Sequence, residues 1–319
     1  MFNWKLYRRT VKTFFYRNKP FFAQLCPTNR CNLRCHYCQI WKEKLDEVDT
    51  KAWRTIIDKI DALGVAVVSF TGGEPMLRDD IFELIDYAKD KGLYVKLTSN
   101  GTLPIEKYER LLRTKIDNIC ISLDGIDGDD LPYSKVSPRI LDVIQFIYSR
   151  RGSKVFYTST TLTQRNSEGL AKLVQFMDSN FTDCGVFVQP IVVGKGKLRR
   201  DTEEKVDVAI LKEFDSILDP NPYILDCQRY YSSQNFQWGC KGGKLFFSIR
   251  SDGAFWVCQD IPTKLNILDG NFFQKWKKYD FDPLVRNCSG CIYSCYFLTQ
   301  MVFNPRYWIG FIKKYTLPR

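Results

Sequence analysis

The sequence predicts an α/β protein: a partial (β/α)6, TIM-like barrel followed by a small cysteine-rich β-hairpin domain. Three observations carry this. Six short apolar runs alternate with segments of helical periodicity, the pattern of parallel βα units whose helices cover the sheet. Each run is apolar throughout instead of alternating, as a strand buried on both faces requires. After Trp238 the pattern changes to spaced cysteines around an Asp252-Gly253 hairpin turn.

The elements follow in order. Trp4, Tyr7, Val11 and Phe14 recur at helical spacing, with Lys5, Arg8, Arg9 and Lys12 on the other positions. Such a basic helix, within a first segment 1–19, either covers one open end of the barrel or lies on an anionic membrane. Phe21 to Leu25 is the first strand. Asp49-Thr50 caps a helix to Leu63, closed by Gly64. Strand Val65 to Phe70 follows, then a helix from Asp79 and Asp80 to Gly92, and strand Tyr94 to Thr98. Helix 105–113, strand Asn118 to Ser122, and a helix capped by Ser137-Pro138 come next. Strand Val155 to Thr161, helix 167–178 and strand Val186 to Pro190 complete a barrel over 20–215. The cysteine-rich domain covers 225–300, and an aromatic, basic tail covers 301–319.

Composition narrows the class. At 319 residues and 45% hydrophobic, the chain can bury a barrel-sized core. No apolar run reaches the length of a membrane span, and the basic N-terminus has no apolar stretch or cleavage site. The protein is therefore expected in the cytoplasm, with the inner membrane surface as a peripheral alternative. Nine of the twelve cysteines fall in or near two groups, which fits metal-bound thiolates better than disulfides. The net charge of +11 sits at the ends: residues before Glu43 and after Asp282 carry +14 with no acid, and the middle sums to −3. No nucleic-acid partner is expected. The single histidine, His36, lies among the first cysteines, so any general base elsewhere is another residue type.

The first group reads Cys31-Asn32-Leu33-Arg34-Cys35-His36-Tyr37-Cys38. Three thiolates on one tight loop, with no fourth ligand in reach, suit a four-iron cluster with one open iron. A zinc loop or a disulfide pair is the plainer alternative. The spacing, with an aromatic residue before the last cysteine, resembles the radical S-adenosylmethionine (radical SAM) superfamily. Gly72-Gly73-Glu74-Pro75, after the second strand, matches that family's GGEP segment. The resemblance implies a [4Fe-4S] cluster on Cys31, Cys35 and Cys38, with SAM bound at the open iron. It implies that Tyr37, Gly72, Gly73, Glu74 and Pro75 hold SAM. Ser99, Asn100, Ser122 and Asp124, polar residues at strand ends, suit the ribose and carboxylate of SAM, with Arg165-Asn166 after the fifth strand and Gln189 at the end of the sixth as further candidates. Asp124 alternatively faces the substrate as the candidate catalytic residue.

Cys240, Gly253 and Cys258, with twelve and four residues between them, resemble the auxiliary-cluster domains called SPASM, or twitch when shortened. Cys288, Cys291 and Cys295 follow. The resemblance implies a second [4Fe-4S] cluster on Cys240, Cys258, Cys288 and Cys291, with Cys295 able to replace one of the last two. A zinc knuckle is the alternative. Cys26, Cys120, Cys184 and Cys227 are unassigned, Cys120 being read as core. The Gly194–Arg200 loop is glycine-rich and basic but lacks a P-loop ending, so a solvated loop is expected there.

The implied activity is reductive cleavage of SAM to a 5′-deoxyadenosyl radical that abstracts hydrogen from a substrate. The auxiliary cluster would take an electron from that substrate or anchor it. A ferredoxin- or flavodoxin-type protein would supply the reducing electron. Peptides, small molecules and lipid or isoprenoid chains are open as substrates. No leader-binding domain precedes the barrel, which weighs against peptides, and the basic aromatic ends favour lipids. A non-catalytic iron–sulfur or zinc protein keeping the fold is the reading from another class.

Overall fold

The first helix-to-strand turn shows how local chemistry sets the frame. Helix α2 (Thr50–Leu63) begins where the Asp49 carboxylate accepts the Ala52 N–H at 2.8 Å, and it ends at Gly64 with φ of 91°. The left-handed Gly64 turns the chain directly into strand β2 (Val67–Gly72). Trp53, Ile56, Ile57 and Ile60 on one face of α2 are fully buried against the sheet. In this computed structural model the described residues are 4–15, 19–126, 135–192, 239–288 and 290–303, with the single positions 206, 210, 227, 230 and 231.

The same unit repeats. Strand β1 (Phe22–Thr28) precedes α2, and β2 is followed by a 3-10 turn (Pro75–Leu77) and α3 (Ile81–Asp90). Then come β3 (Tyr94–Ser99), α4 (Ile105–Arg113), β4 (Asn118–Ser122) and α5 (Pro138–Arg150). Strand β5 (Val155–Leu162), α6 (Leu170–Asn180) and β6 (Gly185–Pro190) close the series. Neighbouring strands from β1 to β6 are all parallel. Side chains alternate: Val95 and Leu97 of β3 join the core under the helices, while Tyr94, Lys96 and Thr98 face the other way, into the barrel.

The cysteine-rich end does not stand apart. Its strands β7 (Phe246–Ile249), β8 (Ala254–Trp256) and β9 (Pro262–Asn266) extend the barrel sheet, in the order β6-β5-β4-β3-β2-β1-β7-β8-β9. Strand β7 runs parallel to β1, pairing Phe22 with Phe246, and the hairpin turns at Gly253 with φ of 81°. The expected hairpin is present, but as part of one continuous nine-stranded sheet. Short helices α7 (Phe272–Lys278) and α8 (Asp282–Arg286) lead to α9 (Ser294–Val302). The start of α9 spans the open side of the barrel. Gln189 on β6 accepts from Ser294 N at 3.0 Å, and Gln24 on β1 accepts from the Tyr296 hydroxyl.

The N-terminal helix α1 (Trp4–Phe15) docks through its basic face at the end of the barrel away from the cysteine loop. Lys5 pairs with Asp61 at 2.9 Å, and Arg9 bonds the Asp61 backbone oxygen at 3.1 Å, where α2 ends. Trp4, Tyr7 and Val11 are left exposed. The loop Gly194–Arg200 and the tail from Asn304 lie outside the described residues. Among those described, no helix is long and apolar enough to cross a membrane.

Candidate functional site

Two cavities hold cysteines. The first opens where β1 to β4 end, the end that carries chemistry in such barrels. It measures about 100 Å³ and is lined by Cys31, Cys35 and Cys38 together with Gly72, Gly73, Ser99, Asn100 and Ser122. The loop that carries the thiols is latched to the glycine turn. Gly73 N donates to Thr28 O at 2.9 Å, and Glu74 N donates to Arg30 O at 2.8 Å. Both glycines are forced by that approach. A Cβ on Gly73 would lie 2.0 Å from Arg30 O, and one on Gly72, at φ of 112°, would lie 2.7 Å from Thr28 O.

Glu74 is 1% exposed, and its two oxygens accept backbone N–H groups from Asn100 at 2.7 Å and Met76 at 3.2 Å. Burial outweighs these bonds and pushes its carboxyl up to about 7. Pro75 starts the 3-10 turn that aims Glu74 inward. Asn100 donates to Asn32 Oδ1 at 2.8 Å, tying the end of β3 to the cysteine loop. Ser99 lies 3.2 Å from the Tyr108 hydroxyl.

The Tyr37 hydroxyl donates to Asp124 Oδ2, and Thr161 N donates to Asp124 Oδ1 at 2.9 Å. Burial, then the charge of Asp124, hold the Tyr37 phenol well above its ordinary range, so it stays a neutral donor. Asp124 is thus behind Tyr37, orienting it, and does not line the cavity. Arg165 is not brought to the cavity either. Its side chain is exposed, while the adjacent Asn166 turns inward and donates to Asp124 O at 3.0 Å and Thr161 O at 2.9 Å. Gln189 is engaged with α9 instead.

Two residues escaped sequence reasoning. Lys135 lines the cavity, with its ammonium 5.5 Å from the Tyr37 ring centre. Burial opposes its charge, but Asp124 and the three nearby cysteines prevail and raise its pKa. It lies between β4 and α5 in the sequence, and no motif marks it. Arg250 is fully buried, paired with Glu43 at 2.6 Å and stacked over Trp256 at 4.8 Å. It clamps the hairpin to the cysteine loop, and nothing in the sequence pairs it with Glu43.

The second cavity measures about 280 Å³ and is lined by Cys240, Cys258, Cys288 and Cys291 with apolar neighbours such as Phe246, Val257 and Tyr296. Backbone N–H groups point at two of its sulfurs, Gly242 N at Cys240 Sγ and Asp260 N at Cys258 Sγ, each 3.4 Å. Cys295 is not among the lining residues; its Sγ lies 3.8 Å from Gln24 Oε1 inside the barrel. Cys120 is buried in the core as expected, in register with Tyr157 of β5.

The donor sets fit clusters. Among the described residues no three His, Cys, Asp or Glu side chains converge tightly enough to hold one metal ion. A four-iron cluster on Cys31, Cys35 and Cys38 would leave one iron open, and one on Cys240, Cys258, Cys288 and Cys291 would have all four irons ligated. Burial pushes the Cys31, Cys35 and Cys38 thiols up, so loading a cluster there must release protons.

Comparisons with known proteins agree with this geometry. Residues 25–177 match the family model described as the Radical SAM superfamily. The chain is 32% identical over 145 residues to the AdoMet-dependent heme synthase of Nitratidesulfovibrio vulgaris, covering 44% of this chain and 40% of that protein. It is 40% identical over 103 residues to the PqqA peptide cyclase of Gluconobacter oxydans, covering 31% of this chain and 29% of that one. The matched stretches thus span less than half the length of these two relatives. The crystal structure of Streptococcus suis SuiB bound to S-adenosylmethionine shares the fold, with a TM-score of 0.66 at 18% identity, over 94% of this chain and 78% of that one.

Proposed function

We propose, from the match of residues 25–177 to the Radical SAM superfamily model, that the protein is an oxidative radical enzyme acting on a substrate held inside the barrel. When bound, the [4Fe-4S] cluster and SAM supply a reductive cleavage of the sulfonium C–S bond, giving methionine and a 5′-deoxyadenosyl radical that removes a substrate hydrogen. Cys31, Cys35 and Cys38 hold that cluster. The Glu74 loop and Asn100 receive the SAM amino group, and Ser99 and Ser122 take its polar groups. Lys135 offers a cation for the SAM carboxylate. Tyr37, fixed by Asp124, walls the site and excludes water.

Cys240, Cys258, Cys288 and Cys291 hold an auxiliary [4Fe-4S] cluster in a twitch-like segment. Held by these four thiolates, such a cluster would supply a one-electron acceptor near the substrate, which would make the net reaction an oxidation. A ferredoxin- or flavodoxin-type protein supplies the first electron in the cytoplasm. The observation that carries the reading is the pair of cysteine cavities in one sheet, three thiols in one and four in the other.

The test is 5′-deoxyadenosine formation by anaerobically reconstituted, dithionite-reduced protein. Its absence would sink the radical reading and leave a non-catalytic iron–sulfur or zinc protein. Substrates of the kinds named for the relatives, peptides and haem precursors, are the first to try. A second reading, membrane contact and a lipid or isoprenoid substrate, rests on Trp4 at 60% and Tyr7 at 50% exposure on a helix otherwise rich in cations. Flotation with anionic vesicles tests it. Equal flotation of the parent and a Trp4→Ala/Tyr7→Ala variant would remove it.

A further inference from the structure

Lys96 is the one charged residue in the six barrel strands. It sits mid-strand in β3, in register with Ser69 of β2 and Asn118 of β4. Its side chain shares the inner face with Thr98, which lines the first cysteine cavity. Two residues along a strand is about 6.6 Å, so Lys96 lies one step deeper into the barrel than that cavity. Its ammonium stands 5.5 Å from the ring centre of Tyr157 on β5. Cys120 and Cys295 are close enough to feel its charge. Gln24, whose amide oxygen meets Cys295 and Tyr296, faces the same space.

A partly buried ammonium ordinarily finds an acid or carbonyl partner, because burying it without one is costly. Lys89 meets Asp117 at 2.7 Å, and Lys59 meets the Ile267 and Asp269 carbonyls at 2.8 Å. Among the described residues Lys96 has neither an ion pair nor a hydrogen bond; its ammonium rests over the Tyr157 ring. An aromatic face steadies a cation while leaving its N–H groups available.

We infer that Lys96, backed by Tyr157 and facing Gln24, is a substrate-binding residue that takes a single carboxylate of the substrate within the barrel. This deepens the proposed function and rests on its placing the substrate in the barrel. Charge selects a carboxylate over a phosphate. The strands offer one positive charge here, and a phosphate dianion would need further cations or a nest of backbone N–H groups. Anchored there, the substrate would present carbons near the carboxylate toward the SAM end of the barrel.

The test uses reconstituted full-length protein and an acetylating N-hydroxysuccinimide ester. The rate of Lys96 acetylation is read by peptide mass spectrometry against exposed Lys51, in buffer alone and with saturating butyrate, butyramide, inorganic phosphate or SAM. Butyrate is expected to slow Lys96 roughly tenfold relative to Lys51, with butyramide and phosphate leaving the ratio unchanged. No slowing by butyrate, or no reaction of Lys96 under any condition, overturns the inference. Equal slowing by butyramide makes the site merely apolar, stronger slowing by phosphate makes it a different anion site, and slowing by SAM alone moves Lys96 to the cofactor; each overturns it. The 5′-deoxyadenosine assay on the same sample keeps the two readings separate. Its failure strikes the radical reading, while a lost protection pattern with cleavage intact strikes the Lys96 assignment alone.

Discussion

The two cysteine cavities are built by opposite strategies. The first takes all three thiols from one eight-residue loop and fixes them with a second short loop, through backbone contacts that tolerate only glycine at positions 72 and 73. The second gathers Cys240, Cys258, Cys288 and Cys291 from before the hairpin, its far end and the run after α8. A locally encoded site survives as long as two loops meet. A dispersed site exists only once the sheet, α8 and α9 have assembled. The smaller cavity sets Ser99, Asn100, Ser122 and Lys135 beside its thiols, whereas the larger sets Phe246, Val257, Ile261 and Tyr296 beside them, with Asp282 and Arg286 as its charged lining.

The sharpest way to separate them is to remove each set of thiols. Reconstituted parent should bind about eight irons, and both Cys31/Cys35/Cys38→Ala and Cys240/Cys258/Cys288/Cys291→Ala about four. The first variant should lose 5′-deoxyadenosine formation altogether. The second should retain it without turnover to an oxidised product. Iron analysis with low-temperature EPR checks both. A parent with about four irons, and almost none in the first variant, would reduce the second cavity to zinc or to no metal at all.

The latch of the first cavity is the next largest effect. Gly73→Ala places a carbon 2.0 Å from Arg30 O, where only backbone movement can relieve the clash. A cost of about 1–3 kcal/mol and misplacement of Glu74 are expected. Thermal melting and SAM binding by calorimetry should both show it, while the auxiliary iron content stays at the parent level. Gly64→Ala makes a useful contrast: its cost comes from a left-handed φ of 91°, with no atom within 4 Å of the added carbon, so it should lower stability and spare SAM binding.

This difference in construction also explains what the sequence could reveal. The barrel was legible because each strand and helix carries its own signals, Asp49 and Gly64 around α2 being the clearest. The first cavity was legible because its residues follow strands in short motifs. What stayed hidden depends on tertiary approach. Arg250 reaches Glu43 across 207 positions, Lys135 lies thirteen residues beyond the end of β4 in sequence, and Asp124 turned out to support Tyr37 from behind. The hairpin was readable, but its parallel pairing with β1 was not, since no local pattern selects a strand's neighbour. Lys96 went unremarked in a strand read as apolar throughout. Only the alternation of β3 gave it a direction.

Glu74 offers a smaller effect confined to the first cavity. Its carboxyl is raised from 4.5 to about 7 by burial. Between those pH values the folded protein keeps a proton that the unfolded chain releases, so stability falls as pH rises through the window. The full difference is roughly 3 kcal/mol. Iron-free protein should therefore melt lower at pH 8 than at pH 5. Glu74→Gln should flatten that slope, although its amide leaves one backbone N–H unpaired and lowers stability by about 1–3 kcal/mol at every pH. Added SAM should oppose the fall, because an ammonium beside Glu74 favours the ionised carboxylate.

The smallest expected effect is the most discriminating for the second cavity. Cys291 and Cys295 are four residues apart, and spacing alone lets either complete a four-thiol set. They part because α9 begins at Ser294. Cys291 precedes the helix and lines the cavity, whereas Cys295, in its first turn, is carried inside the barrel toward Gln24. Cys295→Ala should thus leave auxiliary iron and its EPR signal at parent levels, and Cys291→Ala should lose or degrade them. The reverse pattern would mean that α9 rotates or unwinds when the cluster is loaded. The closure of the barrel through Ser294 to Gln189 and Tyr296 to Gln24 would then have to break as well. Because that closure buries Tyr296 completely, such a rearrangement would expose an aromatic residue to solvent, and Tyr296 fluorescence or hydrogen exchange across 294–302 would register it.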